Sequence, residues 1–341
     1  MTDAAQAVEP WGAAALVVAA AALSAGLIAS LLPVLRRYAL AEPNARSSHA
    51  ASTPQGGGIA VVAATVAVTL AAAGMAPDAR LGWVLGAIVL IACVGAVDDL
   101  RAVPVLPRLL LQALACAVVI AALPAEARIV PPLPWWIERA LLVLAALWFV
   151  NLVNFMDGID WMTVAEVVPV TAGLAAIGWL GALPPTGIAA ALALLGAIVG
   201  FAPFNRPVAR LFLGDVGSLP IGLLLASLLA LVAANGHVAA ALLLPLYYLA
   251  DATLTLARRL AAGERIWQAH RTHFYQRATD GGFTVTAIVG RVFAVNVALA
   301  ALAFVSVAAA TLWISLAALA AGAALVAWLL AAFARGRVPA G

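Results

Sequence analysis

Long apolar stretches dominate this chain of 341 residues and restrict the folds open to it. Hydrophobic residues make up 66% of the sequence and the mean hydropathy is +1.10, which excludes an ordinary soluble domain. A helix needs about 20 apolar residues to cross a bilayer. We therefore predict one all-α, polytopic integral membrane domain over residues 1–341. Its eleven expected spans are 12–35, 57–74, 81–97, 107–123, 135–153, 162–182, 186–203, 217–235, 238–256, 285–305 and 308–333.

The arginines are distributed unevenly between the connecting loops, and the chain contains no lysine. With an external N-terminus, fourteen arginines lie in the cytoplasmic loops and C-terminal tail, and only Arg80, Arg128 and Arg139 lie outside. This bias predicts an external N-terminus and a cytoplasmic C-terminus. The net charge of +3 then reflects membrane orientation, and we expect no nucleic-acid partner because no basic surface domain with interleaved aromatic residues is present.

Polar clusters lie at the ends of several apolar segments, all on the predicted cytoplasmic side. They are Asp98–Asp99 after the third segment, 151–160 after the fifth, 214–218 before the eighth, and 270–277 after the ninth. A carboxylate at membrane depth costs roughly 2.5–3.5 kcal/mol, so such groups are functional candidates by default. The clusters together predict a metal-and-phosphate site that faces the cytoplasm.

The acidic residues at two of these ends each allow two interpretations. Asp98 and Asp99 point about 100° apart on a helix, so one could meet a metal or phosphate while a neighbour holds the other. The alternative is a helix end that meets water or pairs with Arg101. Asp215 follows Gly214 at a helix start, where it could be a simple N-cap or a Mg²⁺ ligand.

Amide and carboxylate side chains recur every three residues at Asn151, Asn154, Asp157 and Asp160. We expect the two asparagines in the last helical turn and an unwound chain near Gly158. Amides suit a nucleobase or sugar, and carboxylates suit a divalent cation or ribose hydroxyls. Simple capping of a helix C-terminus is the weaker alternative, because acids there oppose the helix dipole.

The loop after the ninth segment contains both histidines and arginines. We expect His270, Arg271, His273 and Arg277 to recognise phosphate, in preference to a metal pair of the two histidines, since no third soft ligand accompanies them. Other arginines stand nearer the span and are expected to serve orientation alone; they are Arg258, Arg259 and Arg265.

A glycine-rich segment and the two cysteines complete the candidate features. The glycines at 56–58 follow Ser48 and His49, and they could let the backbone approach a ligand. Cys93 and Cys116 lie within apolar segments and are expected to be small buried side chains. Their number and spacing predict neither a disulfide framework nor a zinc site.

The ordered set of motifs resembles the polyprenyl-phosphate N-acetylhexosamine-1-phosphate transferases, a glycosyltransferase family that includes the phospho-MurNAc-pentapeptide translocase. The resemblance covers essentially the whole chain. Each motif is weak alone, but their order is specific. The motifs are RSSH…TPQGGG at 46–58, DD…RLLLQ at 98–112, NFMDGID at 154–160, FLGDVGS at 212–218 and HRTHFYQR at 270–277.

This resemblance implies transfer of sugar 1-phosphate from a UDP-N-acetylhexosamine to undecaprenyl phosphate, with release of UMP, in a bacterial inner membrane. It also implies Mg²⁺, with Mn²⁺ as a substitute, a site in contact with membrane lipid, and a possible homodimer. Residue roles carried over with it are catalysis by Asp98, Asp99, Asp157 and His270, substrate contact by Asn151, Asp160, Arg271, His273, Arg277, Gly57 and Ser48, and metal ligation by Asp215 and Asn154.

Two departures from the family pattern bear on specificity. The translocase branch has a histidine-rich loop and a lysine near the acidic pair, whereas this chain has His-Arg-Thr-His and no lysine. It therefore resembles the branch that initiates O-antigen or other surface polysaccharides. Trp161 also stands where the family often has glycine. The sugar itself is not predicted.

Two other classes of protein also carry acids within apolar helices. A secondary transporter is the main alternative, but it would not confine its polar residues to the cytoplasmic helix ends. An intramembrane aspartyl protease of the Gly-x-Gly-Asp type is disfavoured, because Phe212 occupies the first glycine position.

Overall fold

The protein is a bundle of apolar helices, as the hydropathy of the sequence predicts. A computed structural model describes residues 10–41, 52–74, 79–265 and 270–336. The helices of these residues are α1 (Pro10–Tyr38), α2 (Gly58–Ala73), α3 (Ala79–Leu100), α4 (Val105–Ala121), α5 (Trp135–Met156), α6 (Met162–Ile177), α7 (Pro185–Phe201), α8 (Asp215–Ala234), α9 (Val238–Leu243), α10 (Leu246–Ala261), α11 (Phe274–Asp280), α12 (Val285–Ala309) and α13 (Leu312–Arg335). One π-helical turn, Gly178–Ala182, extends α6.

Seven of these helical segments are long and apolar enough to cross a membrane: α1, α3, α5, α6 with its π turn, α8, α12 and α13. Three shorter apolar helices of 16 or 17 residues, α2, α4 and α7, accompany them. The prediction of an all-α polytopic membrane protein is therefore confirmed.

The ninth predicted span, 238–256, is wrong as a single helix. It is broken into α9 and α10 at Leu244 and Pro245. Proline lacks the N–H that would continue the helix, and its ring clashes with the preceding turn. The break matters because α10 carries Asp251 and Arg259, both of which are buried.

Small residues set how closely the helices approach. Gly196 and Gly200 of α7 face the backbone of α1, where an added Cβ would lie 2.2 Å from the Val17 oxygen and 2.3 Å from the Ala21 oxygen. Such spacing of small residues is a common device for packing helices in lipid, where backbones must come close to gain contact. Cys116 is buried as predicted, but Cys93 is exposed, so that half of the cysteine prediction is wrong.

Helix α8 is almost wholly buried and occupies the centre of the bundle, in contact with α2, α3 and α5. Two short strands pair antiparallel near the start of α8. They are β1 (Leu40–Ala41) and β2 (Thr53–Pro54). Because α8 begins at Asp215, its central place brings this aspartate to the ends of α3 and α5.

Candidate active site

The start of α8 is the point at which the predicted polar clusters meet. Gly214 adopts a left-handed φ of 77°, which turns the chain into the helix at Asp215. An added Cβ on Gly95 of α3 would lie 2.4 Å from the Asp215 carbonyl group. The absence of side chains at these two positions lets the end of α3 lie directly against the first turn of α8.

Asp99 holds that first turn from outside. Its two carboxylate oxygens accept hydrogen bonds from the backbone N–H groups of Asp215, at 2.9 Å, and Val216, at 3.0 Å. The N–H groups at a helix N-terminus have no partner within the helix, and a nearby negative charge also suits the helix dipole. The structure therefore gives Asp99 a helix-capping position, in which both of its oxygens already have donors.

Asp98 has a different environment from its neighbour. One carboxylate oxygen accepts a hydrogen bond from the Val103 N–H at 2.7 Å, and the other forms an ion pair with Arg108 of α4. Arg108 also lies 3.9 Å from the far carboxylate oxygen of Asp215. Arg108, and not Arg101, is thus the basic partner of the acidic pair, and it stands between two carboxylates.

Asn154 orients the carboxylate of Asp215. Its amide nitrogen donates to the Asp215 Oδ1 at 2.7 Å and to the Ser218 hydroxyl at 2.9 Å. Asn151, one turn earlier on α5, instead donates to the side chain of Gln112 at 2.8 Å and to the Leu147 carbonyl at 2.8 Å. Asn154 lies in the last turn of α5 as predicted, but Asn151 lies one turn earlier, so the two asparagines do not converge on one point.

Helix α5 ends at Met156, and the next residues unwind near Gly158 as predicted. Asp157 accepts a hydrogen bond from the Thr163 hydroxyl at the start of α6. Burial raises the pKa of Asp157 to about 6; the Thr163 hydrogen bond opposes this rise, whereas the charges of Asp99 and Asp160 add to it. A carboxyl with this pKa can exchange a proton near neutral pH.

Asp160 and Trp161 hold the loop that leads toward α8. Asp160 is buried and accepts a hydrogen bond from the Ala209 N–H at 3.0 Å. Trp161 adopts a left-handed φ of 61°, and its indole N–H donates to the Ala202 carbonyl at 2.7 Å. Asn205 accepts from the Trp161 backbone N–H at 2.8 Å. Where the family often has glycine, this chain thus keeps a backbone conformation that glycine favours. It anchors the indole in the loop between α7 and α8.

The loop after α10 is organised by a residue that the sequence analysis missed, Asp251. This wholly buried carboxylate accepts hydrogen bonds from the backbone N–H groups of Phe274, at 3.0 Å, and Tyr275, at 3.2 Å, at the start of α11. It also lies 3.2 Å from the His273 Nδ1. His273 is itself buried, and its ring is turned toward Asp251 in the protein interior.

His270 and Arg271 are more accessible than His273. The His270 ring stacks on the His273 ring with 4.9 Å between centroids, and its Nδ1 lies 3.0 Å from the Thr272 hydroxyl. Arg271 contacts Thr279 at 3.2 Å and Asp280 at 3.3 Å, while its Nε is buried without a partner among the described residues. Arg277 points elsewhere, into a cavity beside the end of α10.

Tyr275 connects this loop to the end of α5. Its hydroxyl donates to the Phe155 carbonyl at 3.2 Å, and an added Cβ on Gly158 would lie only 2.0 Å from that hydroxyl. Burial raises the pKa of Tyr275 well above its usual value, so the phenol stays protonated as a donor. Gly158 is therefore required for close approach of the loop to Asp157.

The glycine-rich segment packs against the chain that leads into α8. Gly57 and Gly58 donate backbone hydrogen bonds to the carbonyls of Phe212, at 2.9 Å, and Leu213, at 2.8 Å. An added Cβ on Gly58 would lie 2.2 Å from the Gly217 Cα. These glycines therefore allow close packing of backbone, and substrate contact by Gly57 stays a prediction. Ser48 and His49 lie outside the described residues.

The residues present suit a divalent cation that is held by one carboxylate. Among the described residues, no three His, Cys, Asp or Glu side chains form a group that could enclose a metal. Mg²⁺, however, usually takes one or two carboxylates and fills its other positions with water and substrate phosphates. Asp215 fits that role, because Asn154 orients one of its oxygens. Asn154 donates from its amide nitrogen to Asp215, and metal ligation through its side-chain oxygen stays a prediction.

Sequence signals were available for Asp251 and for Arg108, whose role the sequence analysis did not assign. Asp251 is a carboxylate within an apolar segment, which marks a functional or structural centre by default. Arg108 is a lone charge near the start of the fourth apolar segment. Their partners, however, stand 10 or more residues away, and only the packed structure brings them together.

The family model of glycosyl transferase family 4 matches residues 81–233. This range runs from the first turn of α3 to the last turn of α8 and includes Asp98, Asp99, Asp157, Asp160 and Asp215. The chain is 24% identical to a probable undecaprenyl-phosphate N-acetylglucosaminyl 1-phosphate transferase of Bacillus subtilis (strain 168), over 84% of this chain and 83% of the relative. It is 27% identical to a decaprenyl-phosphate N-acetylglucosaminephosphotransferase of Mycobacterium leprae (strain TN), over 72% and 71%. A phospho-N-acetylmuramoyl-pentapeptide-transferase of Heliobacterium modesticaldum (strain ATCC 51547 / Ice1) is 32% identical over 46% and 49%.

Proposed function

Because the chain belongs to glycosyl transferase family 4, we propose that it transfers an N-acetylhexosamine 1-phosphate to a polyprenyl phosphate. The donor is a UDP-N-acetylhexosamine, the acceptor is undecaprenyl phosphate, and UMP is released. The observation that carries this proposal is the group formed by Asp98, Arg108 and Asp215 at one end of the bundle, where carboxylates and a guanidinium stand within 4 Å of one another.

The reaction exchanges one phosphoanhydride bond for another. A phosphate oxygen of the acceptor attacks the phosphorus that carries the sugar, and the bond from that phosphorus to the bridging oxygen breaks. UMP leaves with the electron pair. Most of the catalytic demand in such a transfer is positioning and neutralisation of charge, with little covalent chemistry from the protein.

The residues of the site divide this work. Arg108 offers its guanidinium to the acceptor phosphate, with Asp98 fixing its orientation. Asp157 accepts a proton from the acceptor phosphate when that group arrives protonated, which its pKa of about 6 allows. Mg²⁺ held by Asp215 would neutralise charge on the donor diphosphate and the departing UMP. Mn²⁺ would serve in the same position.

The loop after α10 is the proposed donor clamp. His270 is half-buried, and its ring, beside the Thr272 hydroxyl, can donate to a diphosphate oxygen. Arg271 joins it once a substrate phosphate competes with Asp280. His273 and Asp251 position this loop through the buried contact between their side chains. We place this site on the cytoplasmic side of a bacterial inner membrane, because fourteen arginines lie on that side of the predicted topology.

The product proposed is a lipid-linked diphosphosugar that initiates an O-antigen-like surface polysaccharide. Support for this branch comes from the His-Arg-Thr-His loop and the absence of lysine. A secondary transporter remains the alternative class, and it would release no UMP.

The test is turnover by the purified full-length protein. UMP release is measured with undecaprenyl phosphate, Mg²⁺ and a panel of UDP-N-acetylhexosamines. We expect release with at least one donor and its loss with a chelator. Asp215→Asn should lower the rate by about 10²-fold or more, or about 2.7 kcal/mol at 1.36 kcal/mol per decade, without loss of folding. Donor uptake without UMP release would favour the transporter, and near-normal Mg²⁺-dependent turnover in Asp215→Asn would exclude the metal role.

A further inference from the structure

A cavity of about 360 Å³ opens between the end of α10 and the region around α11. We call it the arginine cavity, since three of its lining residues are arginines. The lining residues are Thr255, Arg258, Arg259, Ala262, Glu264, Thr272 and Arg277.

Two positive charges in this cavity have no acidic partner among the described residues. Arg259 forms an ion pair with Glu264 at 2.6 Å, which compensates its charge. Arg258 lies over the Phe274 ring at 5.0 Å. Arg277 is half-buried, and its side chain makes no hydrogen bond or ion pair with any residue that the structure describes. Guanidinium groups stay charged at all physiological pH values, so the exposed Arg258 beside the half-buried Arg277 attracts an anion to the cavity.

The geometry of the donors suits a phosphate. A guanidinium presents parallel N–H groups that bind two phosphate oxygens at once, and two guanidiniums together match a tetrahedral anion better than a planar one. Thr272 lines the cavity, but its hydroxyl lies 3.0 Å from the His270 Nδ1 and already has a partner. Thr255 also lines it, but its hydroxyl already donates to Asp251 at 3.3 Å.

The outer face of α10 indicates that the phosphate belongs to a lipid. Leu254 is 47% exposed and lies one turn before Arg258, on the same face of the helix. Ala257 and Ala261 are exposed on that face as well. An apolar stripe that ends in arginine matches a hydrocarbon chain followed by its headgroup, whereas a soluble phosphate would make no use of the leucine.

We propose that Arg258 and Arg277 bind the phosphate headgroup of a membrane lipid in the arginine cavity. The headgroup is either a phosphomonoester, such as that of phosphatidate, or a phosphodiester, such as that of phosphatidylglycerol, and it is distinct from the acceptor phosphate placed at Arg108. Arg277 then acts with Arg258, and not with His270 as the sequence predicted. The proposal concerns binding and does not depend on turnover, so the proposed function could fail while this inference holds.

The experiment counts lipids retained by the full-length protein in neutral detergent, by native mass spectrometry. The probes are phosphatidate, phosphatidylglycerol, zwitterionic phosphatidylcholine, inorganic phosphate and UDP-N-acetylglucosamine. The test variant is Arg258→Gln/Arg277→Gln. A control with the same change of charge is Arg36→Gln/Arg335→Gln, at the exposed ends of α1 and α13. Melting temperatures verify that each variant is folded.

We expect the wild type and the control to hold one anionic lipid that the test variant binds at least about tenfold more weakly. Arg258→Lys/Arg277→Lys should recover part of the affinity, because charge is kept while the paired hydrogen bonds are lost. Preference for phosphatidate would identify a phosphomonoester site, and equal binding of phosphatidylglycerol a general phospholipid site. Equal lipid retention by wild type and test variant would overturn the proposal. So would arginine-dependent binding of inorganic phosphate or the UDP-sugar with no retained lipid.

Discussion

Side chains in the candidate active site either hold the backbone or face the space where a ligand would bind. Asp99 gives both carboxylate oxygens to the first turn of α8, and Asp251 does the same for α11. Asp215 and Asp157 are only half-buried and make fewer contacts. The acids that look alike in sequence therefore differ in what their replacement would cost.

Replacement of Asp99 should cost stability as well as turnover. Asp99→Ala leaves the N–H groups of Asp215 and Val216 without an acceptor, for a loss of about 1–2 kcal/mol, typical of a lost helix cap. Asp99→Asn keeps one acceptor and should lose less. Thermal unfolding in detergent measures both, with the exposed Glu126→Ala as control. An unchanged melting temperature in Asp99→Ala would show that the cap contributes no stability.

The pH dependence of turnover should follow Asp157. If its ionised form accepts a proton, the rate rises as the pH increases through about 6. Thr163 donates a hydrogen bond that stabilises the carboxylate, so Thr163→Val should raise the midpoint of this rise by about one pH unit. Thr171→Val is the matched control, since Thr171 bonds only to carbonyls of its own helix. Equal midpoints in all three proteins would exclude Asp157 as the titrating group.

The helices and loops are brought together at glycines. Gly58 lets α2 begin against Gly217 of α8, and Gly95 lets α3 end against Asp215. Gly158 lets the α11 region approach the end of α5, where Tyr275 bonds to Phe155. The relative positions of functional groups on different elements thus depend on these glycines, because a side chain at any of them would clash with the neighbouring element.

Gly158→Ala should displace the loop through a clash with Tyr275. The new Cβ would lie 2.0 Å from the Tyr275 hydroxyl and 3.1 Å from its ring carbon, so either the loop or the end of α5 must move. We expect loss of turnover and a lower melting temperature. Tyr275→Phe removes the nearest atom, and the double variant should be more stable than the sum of the two single changes predicts. Additive effects would show that the two residues are not coupled.

The molecule places its polar clusters at one end of an otherwise apolar bundle. Asp98, Asn154 and Asp215 meet there, and the loop that contains His270 joins them through Tyr275. The opposite end has its own polar group, in which Arg128 and the buried Glu138 pair and hold the loop before α5. Among the described residues, that group ties backbone together, whereas the first end has the acids and the guanidinium expected of an active site.

The orientation of the chain can be tested with single cysteines. In a background of Cys93→Ser/Cys116→Ala, Glu126→Cys should react with a membrane-impermeant maleimide on intact cells, because its loop is predicted to be external. Asp280→Cys should react only after permeabilisation. Both native positions are exposed. The reverse pattern would place the active site outside and remove the cytoplasmic nucleotide from the proposed reaction.

The sequence by itself determined the class of fold, most helix boundaries and the identity of the acids in the site. Hydropathy is a local property, and an aspartate at the end of an apolar span is visible without its neighbours in space. The tertiary structure alone decided which acid is a helix cap and which is left for a ligand, and it assigned Arg108 to Asp98 and Asp251 to α11. It also showed that Gly57 packs against the chain before α8, and placed Arg277 beside Arg258. These outcomes depend on hydrogen bonds between residues that are far apart in the chain. The sequence around an acceptor does not reveal a donor that lies far away in the chain.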